Sequence, residues 1–429
     1  ISGTVYDTDG DPAYNAGVQV LTEAYPRGFR QIVPTTWATA NARGEYKVTG
    51  LAPGKYYVCL QNPGQFQPHD PSGDTQAFRR QYYGGATDWK RATPIIVASG
   101  QQVRGIDFRA LATSAVKLAG RVTGAPSWQP PGPDSTAPPS PAPFVQISLL
   151  PAGEEIGAAG YHGGAGPPEY RFEIGGVAPG AYQLIASLRG SGGRPLYARQ
   201  TIEVSDPAPE LELALTPGVD ITGTVRYEGD PALRPAAFDV QLVPGEPIPV
   251  ESPKAAKTSP EGAFTIAAVP PGIWDINPGP IPKGGFLKSM RLGDQDVLTE
   301  DMEITPSTAA PLHIVISSRG GRVEGELQGQ NARRKPSTIM LAPVGKFAAV
   351  MSFFALAESD AAGRFQLTGL TPGAYRLFAF ERQPPGDFRG PELVKKLEPL
   401  GVPVDVKEGE TIPVNVTPLT PAQVQEALR

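Results

Sequence analysis

Apolar and polar residues alternate along most of this chain in short runs that end at Gly or Pro, and one such run recurs four times. The copies are Gly44–Val58, Tyr170–Leu184, Gly262–Ile276 and Gly363–Leu377. Each alternates, breaks at a Pro-Gly pair and alternates again, a pattern that predicts two half-buried strands joined as a hairpin by a tight turn. In that turn Pro53, Pro179, Pro271 and Pro372 would fix φ at the first corner, and Gly54, Gly180, Gly272 and Gly373 would supply φ > 0 at the second. Period-2 geometry turns Tyr46, Phe172, Phe264 and Phe365 inward before the turn, with Val48, Ile174, Ile266 and Leu367 on the same face. Tyr56, Tyr182, Trp274 and Tyr375 turn inward after it.

A second element precedes each copy: Ile1–Val5, Leu118–Val122, Ile221–Val225 and Val323–Leu327. Its two apolar ends share a face with a central glycine (Gly3, Gly120, Gly223, Gly325). A glycine there predicts a bulge or a close backbone approach, for instance to the other sheet. Further strands follow at Val18–Leu21, Val145–Leu149, Val240–Val243 and Ile339–Leu341. Closing strands lie at Ile95–Val97 with Val103–Phe108, Ile202–Val204 with Leu211–Leu215, Leu312–Ile316, and Val402–Val406 with Ile412–Val416. About seven short strands per ~100 residues is the spacing of a β-sandwich. The fold class expected is all-β: four tandem seven-stranded Greek-key-type β-sandwich domains arranged as a rod, with a short C-terminal helical tail. The domains would span 1–112, 113–217, 218–318 and 319–418, followed by a tail at 419–429 in which Thr420 caps a helix over Pro421–Leu428. Two insertions break the regular spacing, an aromatic-rich one at Gln61–Thr93 and a Pro-rich one at Ala125–Pro143 of polyproline-II or disordered character.

Composition sharpens this picture. With 50 Gly and 49 Pro in 429 residues, the pair is roughly twice its average share of ~12%, which excludes long helical architectures. The 40% of hydrophobic residues supplies a core and argues against disorder. The balance of 38 basic to 43 acidic residues, net −5, leaves no electrostatic footprint for nucleic acid. No apolar run reaches the ~18 residues of a membrane span. The single cysteine, Cys59, allows no intrachain disulfide and reads as a small buried hydrophobe in a strand, the alternative being a free thiol with a partner. The chain opens at Ile1 rather than Met, read as processing or cropping of a longer chain, and the expected location is extracellular or cell-surface.

The repeated Ile/Leu-x-Gly-x-Val strand, the Gly-x-Phe/Tyr strand and the Leu/Val-x-Pro-Gly-x-Tyr/Trp turn resemble the carboxypeptidase regulatory-like domains, which share a transthyretin-like (prealbumin-like) sandwich. The first unit is closest, with Tyr82–Gly85, Ala92–Gly100 and Gly105–Phe108. The second departs most, carrying Tyr170 where the others carry Gly. The resemblance implies a fold and an extracellular or periplasmic habit but no activity, because such domains are attached to unrelated proteins. Related pilus sandwiches form Lys–Asn isopeptide bonds between first and last strands. Here Lys117 has no Asn in its closing strand, and Asn415 has no Lys in its opening strand, so none is expected.

Chemistry-bearing motifs are sparse. His69, His162 and His313 lack metal-ligand spacing, and no nucleophile elbow, P-loop or dinucleotide fingerprint occurs. Asp7, Asp9 and Asp11 could offer oxygen ligands to calcium, against the simpler reading of an Asp-Gly hairpin turn. The insertion Gln61–Thr93 carries Phe66, Phe78, Arg79, Arg80, Tyr82, Tyr83 and Trp89. Its leading reading is a loop packing its own aromatics over the first sandwich, with a partner interface or a sugar-stacking surface as alternatives. The function expected is a non-catalytic extracellular structural protein, not an enzyme, that assembles with itself as a homo-oligomer, filament or surface subunit. The alternatives are an adhesin or carbohydrate-binding rod facing a cell-surface polymer, and an accessory arm of a larger secreted enzyme or transporter.

Overall fold

The computed structural model describes residues 1–24, 31–61, 76–128, 141–152, 160–188, 194–208, 210–246, 248–329, 336–348, 350–383 and 389–427. Phe66 and most of the Pro-rich insertion lie outside these residues. The chain gathers into two compact units. The first comprises Ile1–Glu23, Gln31–Gly218 and Glu246–Glu251; the second comprises Ala24–Arg30, Val219–Gly245 and Ser252–Arg429.

Each unit contains two pairs of facing sheets. In the last pair, strands Arg364–Leu370, Gly321–Glu326 and Thr411–Pro413 form one sheet, and Ala355–Glu358, Thr338–Pro343, Gly373–Phe380 and Val402–Val406 form the other, seven strands in all. Val323, Phe365 and Leu367 from the first sheet close on Ile339, Tyr375, Leu377 and Val404 from the second in one core. The same plan recurs around the opening strands Ser2–Tyr6, Val116–Thr123 and Val219–Glu228. The inward residues expected on both sides of the Pro-Gly pairs are all buried.

The opening strand is always an interior strand of its sheet. It pairs antiparallel with the Gly-x-Phe/Tyr strand on one side and parallel with a closing strand on the other. Its glycine sits opposite the inward aromatic, as in Gly223↔Phe264 and Gly325↔Phe365. A Cβ added at Gly3, Gly120, Gly223 or Gly325 would stand 2.0, 2.4, 2.1 or 1.7 Å from the carbonyl oxygen of Ile106, Leu211, Leu312 or Val414. The close approach expected from sequence is therefore real, but it is to the parallel neighbour in the same sheet, not to the facing sheet. In the last three sandwiches the aromatic ring covers the glycine, with a ring carbon 2.5–2.9 Å from that Cβ position.

The Pro-Gly pair does not make a hairpin. Strands Arg171–Val177 and Gly180–Leu188 belong to different sheets, as do Ala263–Val269 and Gly272–Gly279, and Arg364–Leu370 and Gly373–Phe380. The connection is an arch from one sheet to the other, and in the first, second and last sandwiches its two inward aromatics are buried in one core. The positive φ expected at the glycine is present at Gly180, Gly272 and Gly373, with φ of 153°, 149° and 159°, and absent at Gly54. The left-handed residue comes four positions earlier, at Gly50, Gly176, Ala268 and Gly369, with φ of 75°, 68°, 55° and 71°. In the last three sandwiches the register of the flanking strand shifts there, marking a bulge that bends the strand toward the arch. A polar atom on each arch aromatic then closes the structure. Tyr56, Tyr182 and Tyr375 donate O–H, and Trp274 donates Nε1–H, to the carbonyl four residues back, at 2.7–2.9 Å.

The C-terminal segment folds onto the outer face of the last sandwich. Met340, Ala342, Phe378 and Phe380 are buried there under Val394 and Leu397 of helix Pro391–Leu397 and Val424 of helix Pro421–Ala427. Thr420 caps the second helix, its hydroxyl accepting from Gln423 N–H at 3.3 Å while Gln423 Oε1 accepts from Thr420 N–H at 3.0 Å. The first helix escaped the sequence reading, although Pro391 at its first position and Lys395–Lys396 in its last turn are ordinary helix signals.

Adjacent sandwiches of the second unit meet at a glycine-lined joint. Gly320 N–H donates to Gly284 O at 2.9 Å, and a Cβ at Gly320 would lie 2.7 Å from Gly369 Cα. Beside it Glu408 accepts from Lys288 Nζ at 3.0 Å, Ser317 Oγ at 3.0 Å and Arg319 at 3.1 Å. Partial burial works against the Glu408 carboxylate, yet Lys288, Ser317 and Arg319 hold it below the usual carboxylate range.

Two substitutions test these backbone constraints by urea unfolding of the full chain. Gly223→Ala should cost about 2 kcal/mol or more, because the new methyl meets a carbonyl and a ring that neither strand can move aside. Ala268→Gly should stabilise by about 1 kcal/mol, because it relieves a side chain held in the left-handed region. Unchanged midpoints would refute both readings.

Candidate functional site

The insertion between Gln61 and Thr93 provides the most built surface of the first unit. Its strand Gln76–Phe78 pairs antiparallel with Ala112–Ser114, the segment leading into the second sandwich, and Arg79 N–H bonds Leu111 O at 3.0 Å. The insertion is thereby sewn to the chain between the two sandwiches. It then covers the outer face of the first. Tyr82 and Trp89 are 0% and 3% exposed and join Leu21, Ile32, Tyr57 and Cys59 in a small second core. Trp89 meets Tyr57 edge-on at 5.9 Å, and Tyr83 packs edge-on against Phe108 at 6.4 Å. The backbone of Phe78 lies in the pairing strand. Tyr82 and Trp89 are thus packing elements, while Tyr83 is half-buried against the first core.

What the insertion does present is charge. Arg79, Arg80 and Lys90, together with Asp88, line a cleft of about 490 Å³ whose other wall is Pro151, Ala152 and the Ala178–Tyr182 arch of the second sandwich. Arg79 and Lys90 are exposed, whereas Arg80 is half-buried. The Arg80 guanidinium lies over the Tyr82 ring at 5.3 Å, and its Nε donates to the Cys59 sulfur at 2.8 Å. Asp88 accepts from Lys90 N–H at 3.0 Å and so caps the short 3-10 turn Trp89–Arg91. The chemistry on offer is recognition of an anionic or polar group by guanidinium and ammonium.

The remaining candidate residues resolve into structure. Asp7 Oδ1 accepts the N–H groups of Asp9, Gly10 and Asp11 at 2.9–3.0 Å, so this carboxylate organises its own turn. Among the described residues no group of three or more His, Cys, Asp or Glu is placed to hold a metal ion, and Asp7, Asp9 and Asp11 are not brought together as a calcium cage. His162 Nδ1 lies 3.2 Å from the buried Ser148 Oγ, and His313 Nδ1 lies 3.0 Å from Thr224 Oγ1 at the surface, each a cross-strand pair. Cys59 is fully buried. Burial pushes its thiol up, against the opposing pull of Arg80, which keeps it protonated at neutral pH. No helix among the described residues is long and apolar enough to cross a membrane.

Neither a family model nor a curated protein matches this sequence. Its neighbours among solved structures include several pilins. The Streptococcal ancillary pilin is 12% identical, over 71% of this chain and 100% of that one, with a TM-score of 0.22. BcpA, the major pilin subunit of Bacillus cereus, is 12% identical over 74% and 99%, with a TM-score of 0.18. The full-length major pilin RrgB from Streptococcus pneumoniae is 12% identical over 98% and 100%, with a TM-score of 0.16. Scores of this size carry no argument about what the chain does.

The burial of Cys59 gives a direct check. In the native protein it should react with a thiol reagent at least about a hundredfold more slowly than in urea, since the thiolate is the reactive form and both access and ionisation are suppressed. Native labelling at the unfolded rate would show that the insertion does not cover this face.

Proposed function

We propose that the protein is a non-catalytic structural component that works outside the cell as a self-assembling surface or filament subunit. The observation that supports this most directly is the joint of the second unit. Glycine backbones in contact, together with Glu408 gripped by Lys288, Ser317 and Arg319, fix two sandwiches to each other without a flexible linker. Stiff coupling of repeated folded elements serves a load-bearing or spacing role, whereas a catalytic site needs converging reactive groups. The sandwich edges supply unpaired main-chain groups through which copies can associate. In the finer family reading, each sandwich is a carboxypeptidase regulatory-like, transthyretin-like domain with boundaries near 112, 217 and 318.

A second reading, an adhesin, rests on the Arg79–Lys90 cleft. That cleft would recognise an acidic cell-surface polymer by charge, because Tyr82 and Trp89 are committed to packing.

Sedimentation and negative-stain electron microscopy of the full chain distinguish these readings. The structural reading expects concentration-dependent multimers or fibres. A strict monomer at the highest soluble concentration, with binding to an acidic glycan lost in Arg79→Ala/Lys90→Ala, would replace it by the adhesive one.

A further inference from the structure

Strand Ala263–Val269 ends the five-stranded sheet of the third sandwich and pairs on one side only, with the opening strand Val219–Glu228. Val225 N–H donates to Gly262 O at 2.8 Å, which fixes the phase of that ladder. Opposite residues in an antiparallel pair alternate between bonded and non-bonded. Gly223↔Phe264 and Ile221↔Ile266 are therefore bonded pairs, whereas Thr224↔Ala263 and Thr222↔Thr265 are not. The main-chain groups of Ala263, Thr265 and Ala267 accordingly point away from the opening strand. Ala263 is satisfied within the chain, its N–H by Ser259 Oγ at 3.3 Å and its C=O by Ser259 N–H at 2.8 Å. Thr265 and Ala267 have no such partner among the described residues, and both are exposed.

The same edge carries charge in the other three sandwiches. The exposed residues aligned with Ala263 and Thr265 are Glu45 and Lys47 in the first, Arg171 and Glu173 in the second, and Arg364 and Gln366 in the last. Charge on an edge strand guards it against pairing with another chain. The third sandwich lacks that guard. Its outward positions on this strand are Ala263, Thr265 and Ala267, beside the exposed Thr222 and Thr224 of the opening strand. The carboxylates flanking this strip, Asp220 and Glu261, accept from Ala268 N–H at 2.9 Å and Ser259 Oγ at 2.8 Å.

We propose that this edge pairs antiparallel with the same edge of a second copy, about a two-fold axis at Ile266. The inference rests on the self-assembly reading and names one of its contacts. In this register Thr265 of each copy faces Ala267 of the other, and the main-chain groups of both become paired. A second copy is the fitting occupant because an isologous contact brings each side chain near its own counterpart. The aligned strands fail that condition, since Glu173 or Lys47 would come within reach of its like across the axis. Thr265 and Ala267 are neutral and small, so they meet it. So short an edge buries far less than the about 1,600 Å² of a standard interface, which makes the pair weak and concentration-dependent. The contact also closes at two copies, so longer assemblies need a further one.

The test follows the full chain by sedimentation and by hydrogen exchange over a range of concentrations. The expected result is a monomer–dimer step that added salt does not weaken, because no ion pair forms it. Exchange in the peptide Ala263–Val269 should slow as the dimer fills, while that in Arg364–Leu370 stays the same. Thr265→Lys should weaken the step about tenfold or more by setting like charges across the axis. Gln366→Lys, at the aligned position of the last sandwich, should leave it unchanged. Matching thermal melts would show that both variants fold. Self-association without slowed exchange in Ala263–Val269, equal loss in the two variants, or loss on adding salt would overturn this contact and leave self-assembly standing. A strict monomer at the highest soluble concentration would overturn both.

Discussion

The contact between the first and last strands of each sandwich is the constraint on which the rest of the architecture depends. It is parallel, so it joins segments separated by the whole domain, and it is so close that only a glycine fits against the neighbouring carbonyl. In the last three sandwiches the inward aromatic opposite fills the space above the glycine, turning a packing deficit into a covered backbone contact. With the ends of each domain zipped together, the chain must leave the sheet at its other side. It does so through the Pro-Gly arch.

This ordering explains which features were legible in the sequence. The alternation gave the inward positions correctly, because side-chain direction in a strand depends only on parity. It could not tell a hairpin from an arch, since both connect two alternating strands through a turn, and the difference lies in which strands pair. The decisive signals were nevertheless present. Gly50, Gly176 and Gly369 recur four residues before each Pro-Gly glycine, and the arch aromatic is always Tyr or Trp, never Phe. The first marks the left-handed bulge. The second marks a side chain whose polar atom has work to do in closing the arch. Ala268 breaks the glycine rule, and its N–H bonds Asp220 Oδ1 at 2.9 Å, a local compensation that no periodicity argument would reveal.

Site residues were less legible for a related reason. Aromatic and basic residues interleaved in one insertion suit both a binding face and a loop that must cover a sheet. The small second core around Tyr57, Cys59, Tyr82 and Trp89 shows which need was met first. The outer face of a sandwich sheet is an apolar liability wherever its outward positions carry residues such as Leu21 or Phe378, and this chain covers it twice by different means. An insertion serves the first sandwich and two short helices serve the last. Aromatics recruited as cover are withdrawn from recognition, so what remains at the surface is the charge around them.

That division of labour bears on how a protein of this kind acquires specificity. The sandwiches repeat a backbone solution, and the residues that enforce it are glycine, proline and buried aromatics with little freedom to vary. Freedom lies where consecutive sandwiches abut. The insertion and the arch line one such cleft in the first unit. The diverging Val297–Asp301 segment and the next arch line another in the second. The two clefts differ in the sign of the charge that lines them, Arg79 and Lys90 in the first and Glu300 and Asp301 in the second. The repeat therefore holds the backbone constant, and the differences between its copies are concentrated at the joints.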